Sequence, residues 1–226
     1  MSEAALTYTG SATRQLAAKV GAIAGVGAAA AFLAGTAVLN VPLKATDREL
    51  VQWWSVDSHQ VDALVSMLSF TLAGLLFLVF LAHLRTRLQA AEGGAGTLTT
   101  IVHSAGLLFV ATLFVSAIAR GVIGYAIKSP AETQPLPGVD MLRYLPQVSY
   151  AVLGLCGMLC ASLAIAVTSM LAFRTRSFGR LVAWLGIACA AGIAAASILL
   201  VGMLAVPLIL LWTIAISVAL WRGSEI

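Results

Sequence analysis

The stretch that decides the fold is Leu181–Trp221, LVAWLGIACAAGIAAASILLVGMLAVPLILLWTIAISVALW, which carries no charged residue over 41 positions. Because one membrane-spanning helix needs about 20 apolar residues, this stretch is long enough to cross a bilayer twice. Gly202 and Pro207 lie near its middle and mark the expected reversal of the chain. We therefore predict a fifth helix near residues 181–200 and a sixth near 205–221.

Four further apolar stretches precede it, and each is long enough for one crossing. They predict helices near residues 20–41, 61–84, 100–127 and 148–173. The first follows a polar leader, residues 1–19, and is longer than the apolar region of a signal peptide, so we expect it to stay as an uncleaved helix. The chain from 20 to 226 is thus predicted to be one all-α domain, a bundle of six transmembrane helices.

The connections between these stretches are short and have recognisable turn chemistry. The glycine-rich segment 89–96 lies between two apolar stretches and predicts a helical hairpin. Four prolines precede the fourth helix, and because proline interrupts a helix we expect that helix to begin only after Pro146. The prolines are Pro130, Pro135, Pro137 and Pro146.

Composition excludes a water-soluble domain and makes the lipid bilayer the first partner of the chain. Apolar residues make up 61% of the sequence, charged residues only 10%, and the mean hydropathy is +1.00. The net charge of +4 is spread along the chain, without a basic segment dense enough for a phosphate-binding surface. We therefore expect no nucleic-acid partner.

The distribution of cations predicts that both termini are cytoplasmic, because short cytoplasmic loops are enriched in Lys and Arg. This orientation places eight cations inside: Arg14, Lys19, Arg85, Arg87, Arg174, Arg176, Arg180 and Arg222. It places five outside: Lys44, Arg48, Arg120, Lys128 and Arg143. Trp53 and Trp54 outside, with Trp184 and Trp221 inside, are expected to anchor the helices at the two interfaces. The predicted location is a bacterial plasma membrane.

Small residues recur on several helices and predict close helix packing, as in Gly21-x-x-x-Gly25 and Ala188-x-x-x-Gly192. The three cysteines, Cys156, Cys160 and Cys189, all lie inside apolar stretches. A disulfide framework or a metal site is not indicated by that placement, and we predict that the cysteines are small packing residues.

Polar residues on the second and third helices indicate a candidate vestibule at the outer membrane surface. Thr112, Ser116 and Arg120 share one helix face, and Asp62 shares a face with Ser66 and Ser69. If the two faces meet, Asp62 and Arg120 could pair, with the Arg120 guanidinium reaching towards the interface. The candidate vestibule residues are Asp57, His59, Asp62, Arg120, Tyr125, Lys128, Arg143 and Tyr144, with Tyr150 nearby. The alternative is an ordinary belt of tyrosines and charges at headgroup level.

His83 and His103 raise a haem hypothesis, because two imidazoles on adjacent helices can ligate one iron. Both are predicted at the cytoplasmic ends of the hairpin helices. The sequence contains no glycine-rich nucleotide loop, no G-x-S-x-G elbow and no H-E-x-x-H helix. We predict neither catalytic residues nor a metal site, and no cofactor unless the two histidines bind haem.

Two segments carry a resemblance to a known group of proteins. The stretch Phe80-Leu-Ala-His-Leu-Arg-Thr-Arg-Leu-Gln-Ala-Ala-Glu-Gly-Gly, followed by Gly106-Leu-Leu-Phe-Val-Ala, is similar to a pattern in uncharacterised six-helix membrane proteins of actinobacteria. The segment Arg174-Thr-Arg-Ser-Phe-Gly-Arg-Leu-Val-Ala-Trp-Leu-Gly resembles that group's turn between helices four and five, with Phe178 or Gly179 in place of the usual proline. The group is defined by a domain of unknown function, so the resemblance implies topology and a plasma-membrane location.

Three functional hypotheses follow from these features. The first is a non-catalytic accessory, scaffold or assembly subunit of a membrane complex, whose small-residue surfaces receive other membrane-protein subunits or a second copy of the chain. The second is a small-solute transporter or channel that uses the outer vestibule. The third is a haem-binding or lipid-processing membrane protein.

Overall fold

The computed structural model describes residues 3–129, 135–175 and 177–222, with side chains at residue 16 and from residue 18 onward within these ranges. The described chain is helical and contains no strand. The helices are α1 (Glu3–Val38), α2 (Asp47–Ser55), α3 (Asp57–Glu92), α4 (Thr97–Lys128), α5 (Val139–Ala151), α6 (Met158–Thr175), α7 (Arg180–Ile198) and α8 (Val206–Arg222). A π-helical segment, Val152–Gly157, joins α5 to α6, and a 3₁₀ turn, Gly202–Ala205, precedes α8.

Six helical segments are long and apolar enough to cross a membrane, which confirms the predicted six-helix bundle. They are Ala18–Val38, Asp57–Glu92, Thr97–Lys128, Val139–Thr175, Arg180–Ile198 and Gly202–Arg222. Helix α1 begins at Glu3, so residues of the predicted leader continue this first span as helix. Assignment of both termini to the cytoplasm stays a prediction.

The hairpin between α3 and α4 follows directly from its local chemistry. Gly93, Gly94 and Gly96 have φ values of 65°, 55° and 64°, which residues with a Cβ rarely adopt. The Glu92 carboxylate accepts hydrogen bonds of 2.8 Å from the backbone N–H groups of Leu98 and Thr99. It also accepts one of 2.6 Å from the Thr99 hydroxyl. These bonds pair N–H groups of the first turn of α4 that have no intrahelical partner.

The predicted start of the fourth span was wrong, because Pro146 lies inside α5 rather than before it. A proline in a helix removes one backbone hydrogen bond, but membrane helices tolerate this where neighbouring helices and local changes of helix type compensate. Here Pro146 is buried, and the π-helical segment begins six residues later.

The interior of the bundle is filled with aromatic side chains. Phe32 of α1 packs edge-on against Phe70 of α3 with ring centroids 5.3 Å apart. Phe77 of α3 and Phe109 of α4 are 5.2 Å apart in a similar arrangement. Gly25 allows α1 to approach Phe80 and Ser217, and close packing at this predicted small-residue motif is confirmed. Two interior cavities lined by these aromatics have volumes of only about 10 Å³ each.

The helices differ in length, and the difference lies at one end of the bundle. Helix α3 has 36 residues and extends about 54 Å at 1.5 Å per residue, whereas a bilayer core is about 30 Å thick. Helix α7 has 19 residues and matches one crossing. The α7–α8 turn contacts the long fourth span at Gly154, fifteen residues after that span begins at Val139. The excess length therefore lies at the end where α1 stops and α3 begins, which we name the connection end.

At the connection end the protruding helices fold into a small cap, defined here as residues 39–65, 121–128 and 139–149. Its core is separate from the main core and consists of Leu39, Val41, Leu50, Trp54, Ala63, Ile123 and Leu142. Helix α2 supplies Leu50 and Trp54, both fully buried. The prediction that Trp54 anchors at an interface was wrong, because α2 turns this side chain into the cap core. Trp184 and Trp221, by contrast, are exposed.

Replacing Trp54 with Ala should destabilise the cap because it removes the largest fully buried side chain of that core. We expect a loss of about 3–5 kcal/mol in the free energy of unfolding. The matched control is Trp184→Ala, whose side chain is 65% exposed, with a loss below about 1 kcal/mol. Steric-trap unfolding in lipid bicelles measures both variants, and equal losses would contradict a buried Trp54.

Helix α2 begins with a capping box between Thr46 and Glu49. The Glu49 carboxylate accepts hydrogen bonds of 2.8 Å from the Thr46 backbone N–H and 2.9 Å from its hydroxyl. In return, the Thr46 hydroxyl accepts one of 3.4 Å from the Glu49 N–H. These bonds, the backbone one first, hold the pKa of Glu49 below its ordinary value of 4.5.

Because the pKa of Glu49 is lowered by folding, its contribution to stability is present above the unfolded value and is lost as the pH falls through the folded value. We expect the amide protection of residues 49–55 to decrease as the pH is lowered from about 6 to about 3. Hydrogen exchange, corrected for the intrinsic pH dependence, measures this. The Glu49→Gln variant should show a weaker decrease, and an identical decrease in both proteins would refute the capping role.

Candidate functional site

Arg120 of α4 is the central residue of the candidate site, and its side chain is only 2% exposed. Its Nε donates a 2.9 Å hydrogen bond to the Ser66 hydroxyl of α3. Its Nη2 donates bonds of 2.9 Å to the Leu39 carbonyl and 3.3 Å to the Gly35 carbonyl. The Ser66 hydroxyl in turn donates a 2.7 Å bond to Gly35. One guanidinium thus connects α4, α3 and the end of α1.

The acceptors explain why a charged side chain is stable there. Helix α1 ends at Val38, and the carbonyls of its last turn lack intrahelical partners. Those carbonyls also carry the partial negative charge of the helix C-terminus, roughly half an elementary charge. The rings of Phe70 and Tyr150 flank the guanidinium, with centroids 5.1 and 5.3 Å from its central carbon. Arg120 is therefore a buried structural residue, because these groups bind its guanidinium inside the protein; whether that position lies at the level of the outer interface stays a prediction.

The two polar helix faces do meet, but through Ser66 and not through Asp62. Within the described chain the ion pairs are Lys128–Asp57 and Arg143–Asp47, so Asp62 and Arg120 are not paired. Asp62 is half-buried one turn nearer the start of α3. The Ser116 hydroxyl, on the Arg120 face, donates a 2.9 Å bond to the Ser149 carbonyl and ties α4 to α5.

The remaining charges of the predicted vestibule hold the cap together. Lys128 at the end of α4 forms an ion pair with Asp57 at the start of α3. Arg143 of α5 donates hydrogen bonds to the carbonyls of Leu43 and Ala45, at 2.9 and 3.0 Å, and to the Asp47 carboxylate at 2.8 Å. These contacts fix the segment between α1 and α2 against α5.

The aromatic members of the predicted vestibule are divided between the cap and its surface. His59 stacks on Trp53 with ring centroids 4.0 Å apart, and its Nδ1 lies 2.7 Å from the Trp53 carbonyl oxygen. Tyr125 and Tyr144 are each 58% exposed, which suits the interfacial belt that we considered as the alternative. The structure therefore brings the predicted residues to one end of the bundle without forming one shared cavity.

A groove that the sequence did not indicate lies beside this cluster, where the cap meets the α7–α8 turn. Its volume is about 580 Å³, and its lining includes Leu43, Gln147, Tyr150, Ala151, Leu200 and Met203. The π-helical segment forms one wall, and such segments occur frequently at functional sites. Leu200, with a φ of 59°, is the only described residue other than glycine with a positive φ. We refer to this feature as the sub-cap groove.

The histidines of the haem hypothesis lie at the other end of the bundle. His83 packs against α1 at Gly21, and its Nδ1 lies 2.8 Å from the Val79 carbonyl oxygen. His103 is half-buried on α4. Among the described residues no group of three or more His, Cys, Asp or Glu side chains could hold a metal ion. Haem binding by His83 and His103 stays a prediction.

No family model, curated protein or solved structure matches this chain. What the fold defines is a class: a multi-pass integral membrane protein built as a six-helix bundle.

Replacing Arg120 with Lys should destabilise the bundle although the charge is kept. Lysine lacks the planar fork that reaches Ser66 and the α1 carbonyls together, so buried acceptors lose their donors. We expect a loss of about 1–3 kcal/mol in the free energy of unfolding, by the steric-trap measurement. The control is Arg87→Lys, whose exposed side chain should change stability by less than about 0.5 kcal/mol. If the Arg120→Lys variant had the same free energy of unfolding as the wild-type protein, the Arg120 side chain would not be bound as described, and the prediction would be contradicted.

Proposed function

We propose that this protein is a non-catalytic accessory or assembly subunit of a membrane complex, in a bacterial plasma membrane with both termini cytoplasmic. The observation that carries the proposal is a lipid-facing groove between α1 and α8, with a volume of about 530 Å³. Its lining is apolar and includes small residues: Ala22, Ile23, Val26, Gly27, Ser217, Val218 and Trp221. Small residues on a lipid-facing surface let a partner helix approach closely.

The packing of the interior supports this role over solute transport. The Phe32, Phe70, Phe77 and Phe109 rings occupy the space between helices α1, α3 and α4. Passage of a polar solute would require these rings to move apart. Of the two charges that motivated the transport hypothesis, Arg120 is bound by backbone carbonyls, and Asp62 forms neither of the ion pairs found among the described residues.

The expected partner is a membrane-spanning helix of another protein, seated between α1 and α8. Helix α8 packs mainly against α1 and α7, and the α1–α8 face lies at the edge of the bundle. The Lys19 ammonium lies 5.4 Å from the Trp221 ring and bounds the groove near the chain termini. An apolar helix of about 20 residues would cover the groove and continue along the exposed side of α1.

The test replaces Val26, which lines the groove and is 46% exposed, with Trp. We expect the membrane partner that co-purifies with the full chain to be lost, because the indole fills the space that the partner helix needs. The matched control is Leu108→Trp on the lipid-facing side of α4, where the residue is 58% exposed. Quantitative mass spectrometry of native-membrane nanodiscs measures partner retention in both.

Two outcomes would contradict the proposal. One is equal retention of every co-purifying membrane protein in Val26→Trp and Leu108→Trp. The other is a photo-crosslink from position 26 to a second copy of the chain, which would replace the accessory role by self-association. Orientation is tested separately by a phosphatase or fluorescent-protein fusion after residue 226, and an extracytoplasmic fusion would overturn the topology.

A further inference from the structure

The sub-cap groove lies at the level where the membrane surface meets the cap. The α7–α8 turn forms its lower edge, and that turn exposes Leu199, Leu200 and Leu204 at 72%, 80% and 77%. Leucines with that exposure face lipid in a membrane protein, whereas the cap above them carries the ion-paired charges of the connection end. An occupant of the groove would therefore have one end among acyl chains and the other among polar groups.

The groove has both an apolar floor and a polar upper wall. Leu155, Met203 and Leu204 line the apolar part, and Gln147 and Tyr150 stand on the α5 wall above them. A volume of about 580 Å³ lies in the range of ligand pockets, about 300–1,000 Å³. This arrangement suits an amphiphile with a long apolar chain and hydrogen-bond acceptors at one end.

No charged residue of the described chain lines the groove, but two of its lining residues, Tyr150 and Leu43, adjoin cations. The Tyr150 ring lines the groove. Its centroid also lies 5.3 Å from the central guanidinium carbon of Arg120. Neither of the two ion pairs within the described ranges neutralises Arg120, and the α1 carbonyls supply only about half a negative charge. Lys44, exposed and also outside those two pairs, follows directly after the groove residue Leu43. A buried cation without a carboxylate favours an anion nearby.

We propose that the sub-cap groove binds an anionic phospholipid, with one acyl chain along Leu155, Met203 and Leu204 and the phosphate near Tyr150 and Lys44. The phosphate lies next to Lys44 and across the Tyr150 ring from Arg120, whose guanidinium is itself buried, and Gln147 donates to an ester carbonyl. This inference concerns a surface different from the α1–α8 groove and does not rest on the proposed accessory role.

Native mass spectrometry of the purified full chain tests the proposal with phosphatidylglycerol and phosphatidylcholine that have identical acyl chains. We expect wild-type protein to retain phosphatidylglycerol about five- to tenfold more strongly, as one close charge interaction allows. Ala151→Trp fills the groove from its exposed side and should abolish that preference. Ala111→Trp, on an exposed position of α4, is the matched control and should keep it.

A second variant keeps the test independent of folding. Lys44→Gln changes only an exposed side chain and should reduce the preference for phosphatidylglycerol severalfold. The groove should still retain lipid through the acyl chain. Equal retention of the two lipids by wild-type protein would overturn the proposal. So would an unchanged preference in Ala151→Trp, because the anionic lipid would then bind elsewhere on the protein.

Discussion

The guanidinium of Arg120 binds the carbonyls at the end of α1, and the arrangement of the connection end depends on this contact. The helix has to end inside protein, because Leu39 and Val41 continue directly into the cap core. The carbonyls of the buried residues Gly35 and Leu39 therefore have little access to water, and an unpaired buried carbonyl costs roughly 1–3 kcal/mol. Arg120 and Ser66 together provide donors from two neighbouring helices, so one interaction satisfies α1 and sets the spacing of α1, α3 and α4.

The cap follows from that arrangement. After the end of α1, where Arg120 binds the backbone, Arg143 donates hydrogen bonds to the carbonyls of Leu43 and Ala45. These bonds fix the segment that leads into α2. Helix α2 then closes the cap core with Leu50 and Trp54. The polar residues at this end act mainly on one another and on the backbone. The two grooves proposed to receive other molecules are apolar or only partly polar. They are the α1–α8 groove and the sub-cap groove.

The helix count was predictable because it depends on hydropathy and length alone. The stretch from 181 to 221 had to reverse, and the structure reverses it between Ile198 and Gly202. The glycines after Glu92 likewise predicted the hairpin. Helix α2 was not predicted, because its nine residues are too short and polar for a hydropathy signal, although Thr46 and Glu49 form the spacing of a capping box. Pro146 gave a clear sequence signal that led to a wrong helix start. The backbone hydrogen bond that this proline removes is compensated by tertiary packing, which the sequence does not show.

The sequence predicted which residues lie at the candidate site, but it did not predict which atoms they contact. Helical spacing correctly placed Ser66 and Arg120 on faces that could meet, but the acceptors of Arg120 are backbone carbonyls, which have no sequence signature. The sub-cap groove depends on how far α5 extends past the α7–α8 turn, a tertiary property.

The most direct test of this account is a double-mutant cycle of Ser66→Ala and Arg120→Lys, measured as free energies of unfolding in bicelles. If one network joins α1, α3 and α4, the two substitutions should be coupled by about 1 kcal/mol or more. Losses that add to within about 0.3–0.5 kcal/mol would show that the two side chains act separately and would contradict the account.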